Sequence, residues 1–478
     1  ATVGLAATTS AAQLGPLTPP AGPVNDTNPD LEDLEDKMQE LLDKLTGELV
    51  PLPAVPGDAT AVHVITQPGE YVLTGDLVVP PGMDGIRVES DCVKIKLNGH
   101  AIVDPANAAD TAIRLLLGNP IVLPNPFGVE VEDGTIKGFQ RGVDADDEWE
   151  RVRLEHMKFI EQLQEAARVI GEGSEINDCE IFDSGGNGVT GGNGLKITDT
   201  DIVRPGGDGV QSFDDLVAEA LRVLEAGDNA VDTGDGGEIN DSEFSDAVNE
   251  AIKALNDFTA KNTHVTGAGG AGIQSGLGAE LEGVLVEGCA FGVLVGPDSN
   301  ASNTTVRNIL SGAAFQAGPN TTATDCYAQA AEAGYKFGDA ARVINTRAFD
   351  CVEVGIETGA DSTVSDCDVK FINGTIAVGI RVFDNSAITN STVTGVPNGP
   401  AIETAGPNSR VVSNTTLNSA VGVQMSANSF YFRNQAYANG ANFVLDPFAA
   451  FGPIVGINGV GDISALGITQ HPQANFQD

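Results

Sequence analysis

Carboxylates carry most of the chemistry this sequence offers. Asp144, Asp146, Asp147 and Glu148 crowd together just before Trp149, the only Trp of the chain. Oxygen donors at that density suit a hard divalent cation, so these four are the candidate calcium ligands. The alternative for the same run is a solvated acidic loop. Asp232 and Asp235, in DTGDGG, offer a second oxygen-rich turn. Calcium-binding turns of repeat proteins work as tandem arrays, however, and this one occurs once. No residue pattern requires any other cofactor. Hydrolysis of a glycoside needs two carboxyl groups within about 5 to 10 Å. Among 67 Asp and Glu some pair will always meet that condition, so it selects nothing. Abstraction of a proton beside a carboxylate needs a base, commonly next to Ca²⁺. The bases between Arg204 and Arg410 are few, and no two share a stacking position with an acidic cluster. One Trp and five Tyr are also too few to floor a long sugar groove.

Twenty-five Lys and Arg against those 67 acids leave a net charge of -42. Nucleic acid and anionic membrane surfaces both require basic surface, so neither is an expected partner. High solubility, a saline habitat or surface-bound divalent cations all fit such a charge. No run approaches the roughly 18 apolar residues that a membrane-inserted helix needs. The chain starts at Ala1 with no basic leader, which fits a processed product, secreted or held at the cell surface, as well as a trimmed chain.

What must position these groups is a repeat. Ile176, Cys179 and Ile181 return as Ile197, Thr200 and Ile202, 21 residues later, and Gly188-Val189 returns as Gly209-Val210. The x, x+3, x+5 pattern starts at Leu154 and Phe159. It runs to Val412 and Leu417, then to Phe432 and Tyr437. Upstream the same triad reads Leu97, His100, Ile102 and then Val131, Gly134, Ile136. A period of about 21 residues with short alternating strands and Gly, Asn and Asp at the corners predicts an all-β parallel β-helix, a solenoid. The fixed Asn of a leucine-rich frame is missing. Three stretches, WERVRLEHMKFIEQLQEAARV, FDDLVAEALRVLEAG and DAVNEAIKALNDF, have helical periodicity. An inserted helix would lengthen the step across it, and the steps stay near 21, so they too read as β coils. Cys179, Cys326 and Cys367 share the middle inward site with Thr200, Ser242 and Thr263. Cys326 and Cys367 then lie two coils, roughly 9 to 10 Å, apart, beyond the approximately 7 Å Cα limit of a disulfide. Buried thiols serving as small core residues are expected.

The ends read differently from the body. Residues 1–27 are small and Pro-rich, an extended N-terminal arm. Asn28-Pro29-Asp30 starts a short helix over 28–49. Its apolar residues Leu31, Leu34, Met38, Leu41 and Leu45 fall at heptad spacing, and Gly47 ends it. Such a helix packs on its own domain or docks a second chain. Pro51, Pro53 and Pro56 mark a linker over 50–61, the β-helix covers 62–444, and 445–478 is a C-terminal cap or tail.

The run ITQPGEYVLTGDLVV, the stretch GIRVESDCVKIKLNGHAI, the repeated coil, the ending HPQANF and the early GPLTPPAGPV together resemble secreted right-handed parallel β-helix repeat proteins. They are similar to the sets found in planctomycete-like bacteria. The resemblance implies a right-handed helix over about nine tenths of the chain. It does not choose among the superfamily's lyases, polygalacturonases, epimerases, tailspikes and adhesive or structural proteins. A polygalacturonase-like member would show paired Asp motifs, Gly-His-Gly and Arg-x-Lys. The nearest match is Gly99-His100-Ala101, where the ladder makes His100 a buried core residue. The reading is therefore a non-catalytic extracellular rod whose partner is itself, assembled through its terminal arms into a fibre, filament or surface appendage. The alternatives are a polysaccharide lyase or depolymerase and a glycan-binding adhesin, either with polysaccharide as partner.

Overall fold

The computed structural model describes residues 49–116, 127–145, 149–452, 454–456 and 475–477. They belong to one compact unit, Leu49–Asp478. Leu49 apart, the arm and helix expected before residue 50 lie outside the described residues.

The chain winds as a right-handed parallel β-helix, and each coil lays one strand on each of three faces. The first face stacks 18 strands from Ala61–Ile65 to Ala441–Leu445. On the second face Glu175–Asn177 pairs with Lys196–Thr198, and on the third Glu180–Phe182 pairs with Asp201–Val203, each 21 residues on. Strands Phe127–Lys137 and Glu150–Ile160 cross from second to third face unbroken, which joins those two faces into a single sheet. At about 4.8 Å per rung, 18 coils span on the order of 80 Å. The three helix-like stretches are strands: Glu150–Ile160 and Ala167–Val169, then Val217–Glu219 and Arg222–Leu224, then Ile252–Ala254. Stacking overrides local propensity because each inward Ile or Val gains about 1.5–3 kcal/mol on burial, more than propensity costs.

Corners close each coil with left-handed backbone, which Gly, Asn and Asp adopt at least cost. Among the described residues, 25 of the 38 non-glycine residues with positive φ are Asp or Asn, among them Asp178, Asp199, Asp241 and Asn262 on one corner column. Part of the acidity is thus a requirement of the turns. The side chains also fill space: the Asp215 carboxylate lies 2.4 Å from where a Cβ on Gly236, one coil on, would stand, and Gly236 has φ +74. Gly209 recurs for a different reason. A Cβ there would sit 2.4 Å from Val223, so glycine lets the first and third faces close on each other.

The interior follows the triad, with Ile176, Cys179 and Ile181 buried, as are Ile197, Thr200 and Ile202. The middle site most often holds a short side chain that donates to the carbonyl two residues back, although Met157, Leu221 and Val284 also fill it. Thr200 Oγ1 does so to Thr198 at 2.8 Å, Ser242 to Asn240 at 2.7 Å and Cys367 to Ser365 at 3.1 Å. No disulfide forms among the six cysteines, and all but Cys92 are buried.

The ladder departs from the expected sites twice: upstream Val131 stacks on Ile95, not Leu97, and near the C-terminal end it slips by one residue. Ile388 stacks on Val411, not Val412, so Val411, Asn414 and Thr416 point inward while Val412 and Leu417 lie half-exposed outside. The next coil buries Tyr431, Asn434 and Ala436 in place of Phe432 and Tyr437. Apolar doublets hide such a slip, and one residue exchanges the faces. His100 is likewise not inward. It lies half-exposed at a corner, 3.6 Å from Asp76. Trp149, which directly follows the run read as calcium ligands or a solvated loop, is fully buried.

The Pro-rich segment read as a linker lies against the first coil. Val50–Pro51 pairs with Tyr71–Val72, and Leu52 is completely buried. Val64 donates its N–H to the Pro56 carbonyl at 3.1 Å, and His63 Nδ1 lies 2.8 Å from the Val55 carbonyl. Asp58 pairs with Arg87 across this edge. Prolines along an edge remove donors that another strand would use.

Candidate functional site

Asp144 occupies the outward position of a first-face strand, Arg141–Ala145, with only 12% of its side chain exposed. Arg168, one coil on, meets it at 2.9 Å, and Arg141 at 3.4 Å. Its two oxygens are therefore held by guanidinium groups. Asp146, Asp147 and Glu148 lie outside the described residues. Asp232 pairs with Lys253 at 2.8 Å, and Asp235 accepts from Asn256 at 2.9 Å within a corner ladder that includes Asp214.

Cations and acids do share stacking positions, contrary to the sequence expectation. Asp232 registers with Lys253, Glu287 with Arg307 and Arg347 with Asp368, and Arg381 stands between Glu357 and Glu403 at 3.0 and 2.8 Å. The outward register shows these pairs. It was hidden while only inward residues set the phase. Each exposed pair contributes about 0–1 kcal/mol, so they tune neighbouring coils while the apolar interior holds the rod. Glu130, Glu132 and Glu155 also gather, with oxygens within 4.8 Å of one another. Lys94 lies 2.8 and 2.7 Å from the first two, so an ammonium already serves that cluster.

A shallow recess of about 620 Å³ opens at the corner between second and third faces. Three left-handed corner residues on successive coils line it: Asp133, His156 and Asp178. His156 bridges its neighbours, Nδ1 to Asp133 and Nε2 to Asp178, each at 3.3 Å. Lys158 pairs with Glu180 at 2.6 Å on its wall, and Gly99, where a Cβ would meet nothing within 4 Å, helps leave the hollow. Asp208 is a different carboxylate: burial pushes its pKa up, while Asn229 donates to it through backbone and side chain, both at 3.0 Å.

The last coils expose apolar groups. Phe430 is 47% exposed, Val444 45%, Phe448 76% and Phe451 50%. Beneath them runs a buried amide column, Asn414–Asn434–Asn475. Asn414 donates to Asn434 Oδ1 at 3.0 Å, and the Asn434 N–H donates to Asn475 Oδ1 at 3.0 Å. Strand Asn475–Gln477 lies between Gln435–Tyr437 and Ile454–Gly456, parallel to both, and therefore out of chain order. The register slip concealed this column from sequence reading.

The family model described as "Right handed beta helix region" matches residues 275–416, less than a third of the chain. No curated protein matches in sequence. Among solved structures, the chain is similar to the mannuronan C-5 epimerase A-module of Azotobacter vinelandii, at 10% identity over 80% of this chain and 91% of that one, with a TM-score of 0.21. It is similar to the tailspike receptor binding domain of Siphovirus 9NA, at 10% identity, 86% and 77% coverage and a TM-score of 0.29. A surface adhesin of Streptococcus pneumoniae matches at 10% identity, 76% and 93% coverage and a TM-score of 0.23. The stacked parallel strands and the family match, not these distant likenesses, define the fold, and fold alone names no activity. The chain is a β-helix repeat protein.

Proposed function

We propose that this chain is an extracellular, non-catalytic structural rod that associates with itself through its C-terminal coils. The observation that supports this reading most is the contrast between its ends. Val50 to Asp58 lies over the first coil, with Leu52 buried, whereas the last coils present Phe430, Val444, Phe448 and Phe451. An apolar group of that kind on a strongly charged protein marks a surface that another molecule covers. Sedimentation velocity on the intact chain and on a Phe448→Ser, Phe451→Ser variant tests it. The intact chain should associate and the variant should sediment as a monomer. An intact chain that stays monomeric at hundreds of micromolar would end this reading.

The recess around His156 favours a second reading, a binding site for a polar ligand such as a sugar. Its alternating carboxylates, imidazole and ammonium supply donors and acceptors on a fixed corner. A glycan array probed with the intact chain and with His156→Ala tests it: ligands bound only by the intact chain would support it, and none bound would remove it. Calcium at the rest of the acidic stretch, Asp146, Asp147 and Glu148, is retained as a proposal, with Asp144 set aside because Arg168 and Arg141 hold its oxygens. Isothermal titration with Ca²⁺, intact against Asp146→Asn, Asp147→Asn, decides it.

A further inference from the structure

The out-of-order strand at the C-terminal end points to how two copies meet. Asn434 is fully buried, and its backbone N–H needs an acceptor on the next rung. In the coils before it that acceptor is the side chain of the residue one rung on, as Asn434 Oδ1 serves the Asn414 N–H at 2.9 Å. Chain order would place Ile454 there, 20 residues after Asn434, and an isoleucine side chain accepts nothing. A buried N–H left without an acceptor is destabilising. Asn475 supplies the acceptor and gives its own amide to the Tyr431 and Gly452 carbonyls, at 3.3 and 3.2 Å. Ile454–Gly456 is displaced one rung outward to make room.

We infer that this rung is an acceptor slot for the C-terminal strand of a second copy of this chain. The inference rests on the self-association proposed above and specifies its geometry. Residues 457–474 connect the displaced strand to the inserted one, and 18 residues reach up to roughly 60 Å when extended. The strand therefore reaches its own slot or that of a facing copy, and the same three residues satisfy either. Two copies that exchange it meet C-terminal end to C-terminal end, covering Phe430, Phe448 and Phe451 on both. Such a contact is isologous and closes at two. Growth past two would need the opposite end, where Val64 and His63 already bond to the Pro-rich segment.

A cysteine pair tests this on the full chain. Gln435 and Phe476 are register partners, so Gln435→Cys with Phe476→Cys, in a Cys92→Ser background, places two thiols within disulfide reach. Oxidation at rising concentration should give a covalent dimer whose share rises at least tenfold between 1 and 100 µM, or about those values. Adding Asn475→Ala should abolish the link in either form. A link that forms only within one chain, while light scattering shows dimers, overturns the exchange and leaves self-association standing. No link at all overturns the slot. Linked assemblies larger than two overturn the closed contact, and monomers at every concentration overturn the self-association itself.

Discussion

A buried thiol and a buried hydroxyl do the same work in this chain. Cys179, Cys326 and Cys367 stand where Thr200, Ser242 and Thr263 stand elsewhere, because the corner asks for a small donor to the carbonyl two residues back. Burial pushes the Cys179 and Cys351 thiols up to about 12 and Cys326 up to about 11. Thiolate is the reactive form, so a thiol reagent at pH 8 should label one cysteine, Cys92, in the native protein and six after unfolding. Mass spectrometry counts them. Tyr335, completely buried, stacks on Phe315 at 5.0 Å. Tyr335→Ala should cost about 3–5 kcal/mol in chemical denaturation. Asp208 is the pH-sensitive residue. Its folded pKa is raised, so the unfolded chain ionises it more readily and it costs stability at neutral pH. That cost fades as pH falls through the raised value towards about 4, the unfolded value. Asp208→Asn should raise Tm at pH 7 and leave it unchanged near pH 3. At this scale the sequence named the interchange of Cys, Thr and Ser. It did not reveal Asp208 or the asparagine column, because a polar residue on an inward position looks like an outward one until its partners are known.

At the scale of the element, the repeat was legible wherever one apolar residue stood on each inward site. It failed where two stood side by side, as at Val411-Val412 and Tyr431-Phe432, since either choice preserves the period. Outward residues would have resolved the doublets, because stacked charges such as Glu357, Arg381 and Glu403 carry the register too. Corners were legible as a composition of Gly, Asn and Asp, though not residue by residue. Ala340 holds a left-handed corner at φ 56 without a side chain suited to it. Ala340→Asn, matching Asn320 one coil before it, should stabilise by about 1 kcal/mol, seen as a higher denaturant midpoint. The Pro-rich segment misled for a related reason. Proline in sequence signals a linker, but along an outer edge it also blocks further pairing.

The whole molecule is a one-dimensional stack, so its stability is close to a sum of coils and their interfaces. Unfolding should then run in more than one step. Trp149, the single Trp, is buried near the N-terminal coils. Its fluorescence should report a transition that differs in midpoint from the far-ultraviolet loss of strand signal. Coincident curves would argue for a single cooperative unit. The charge also belongs to this scale: among the described residues Asp predominates on corners up to Asp366, whereas the left-handed Asx residues from Asn385 onward are all Asn. Repulsion thus eases towards the end that exposes Phe448 and Phe451, where two copies would have to approach.

Light scattering on the intact chain, from low to high micromolar concentration, tests self-association through that end most directly. The predicted mass rises from the 49.2 kDa of one chain to twice that value and stops there. A mass that stays at one chain throughout would contradict the account.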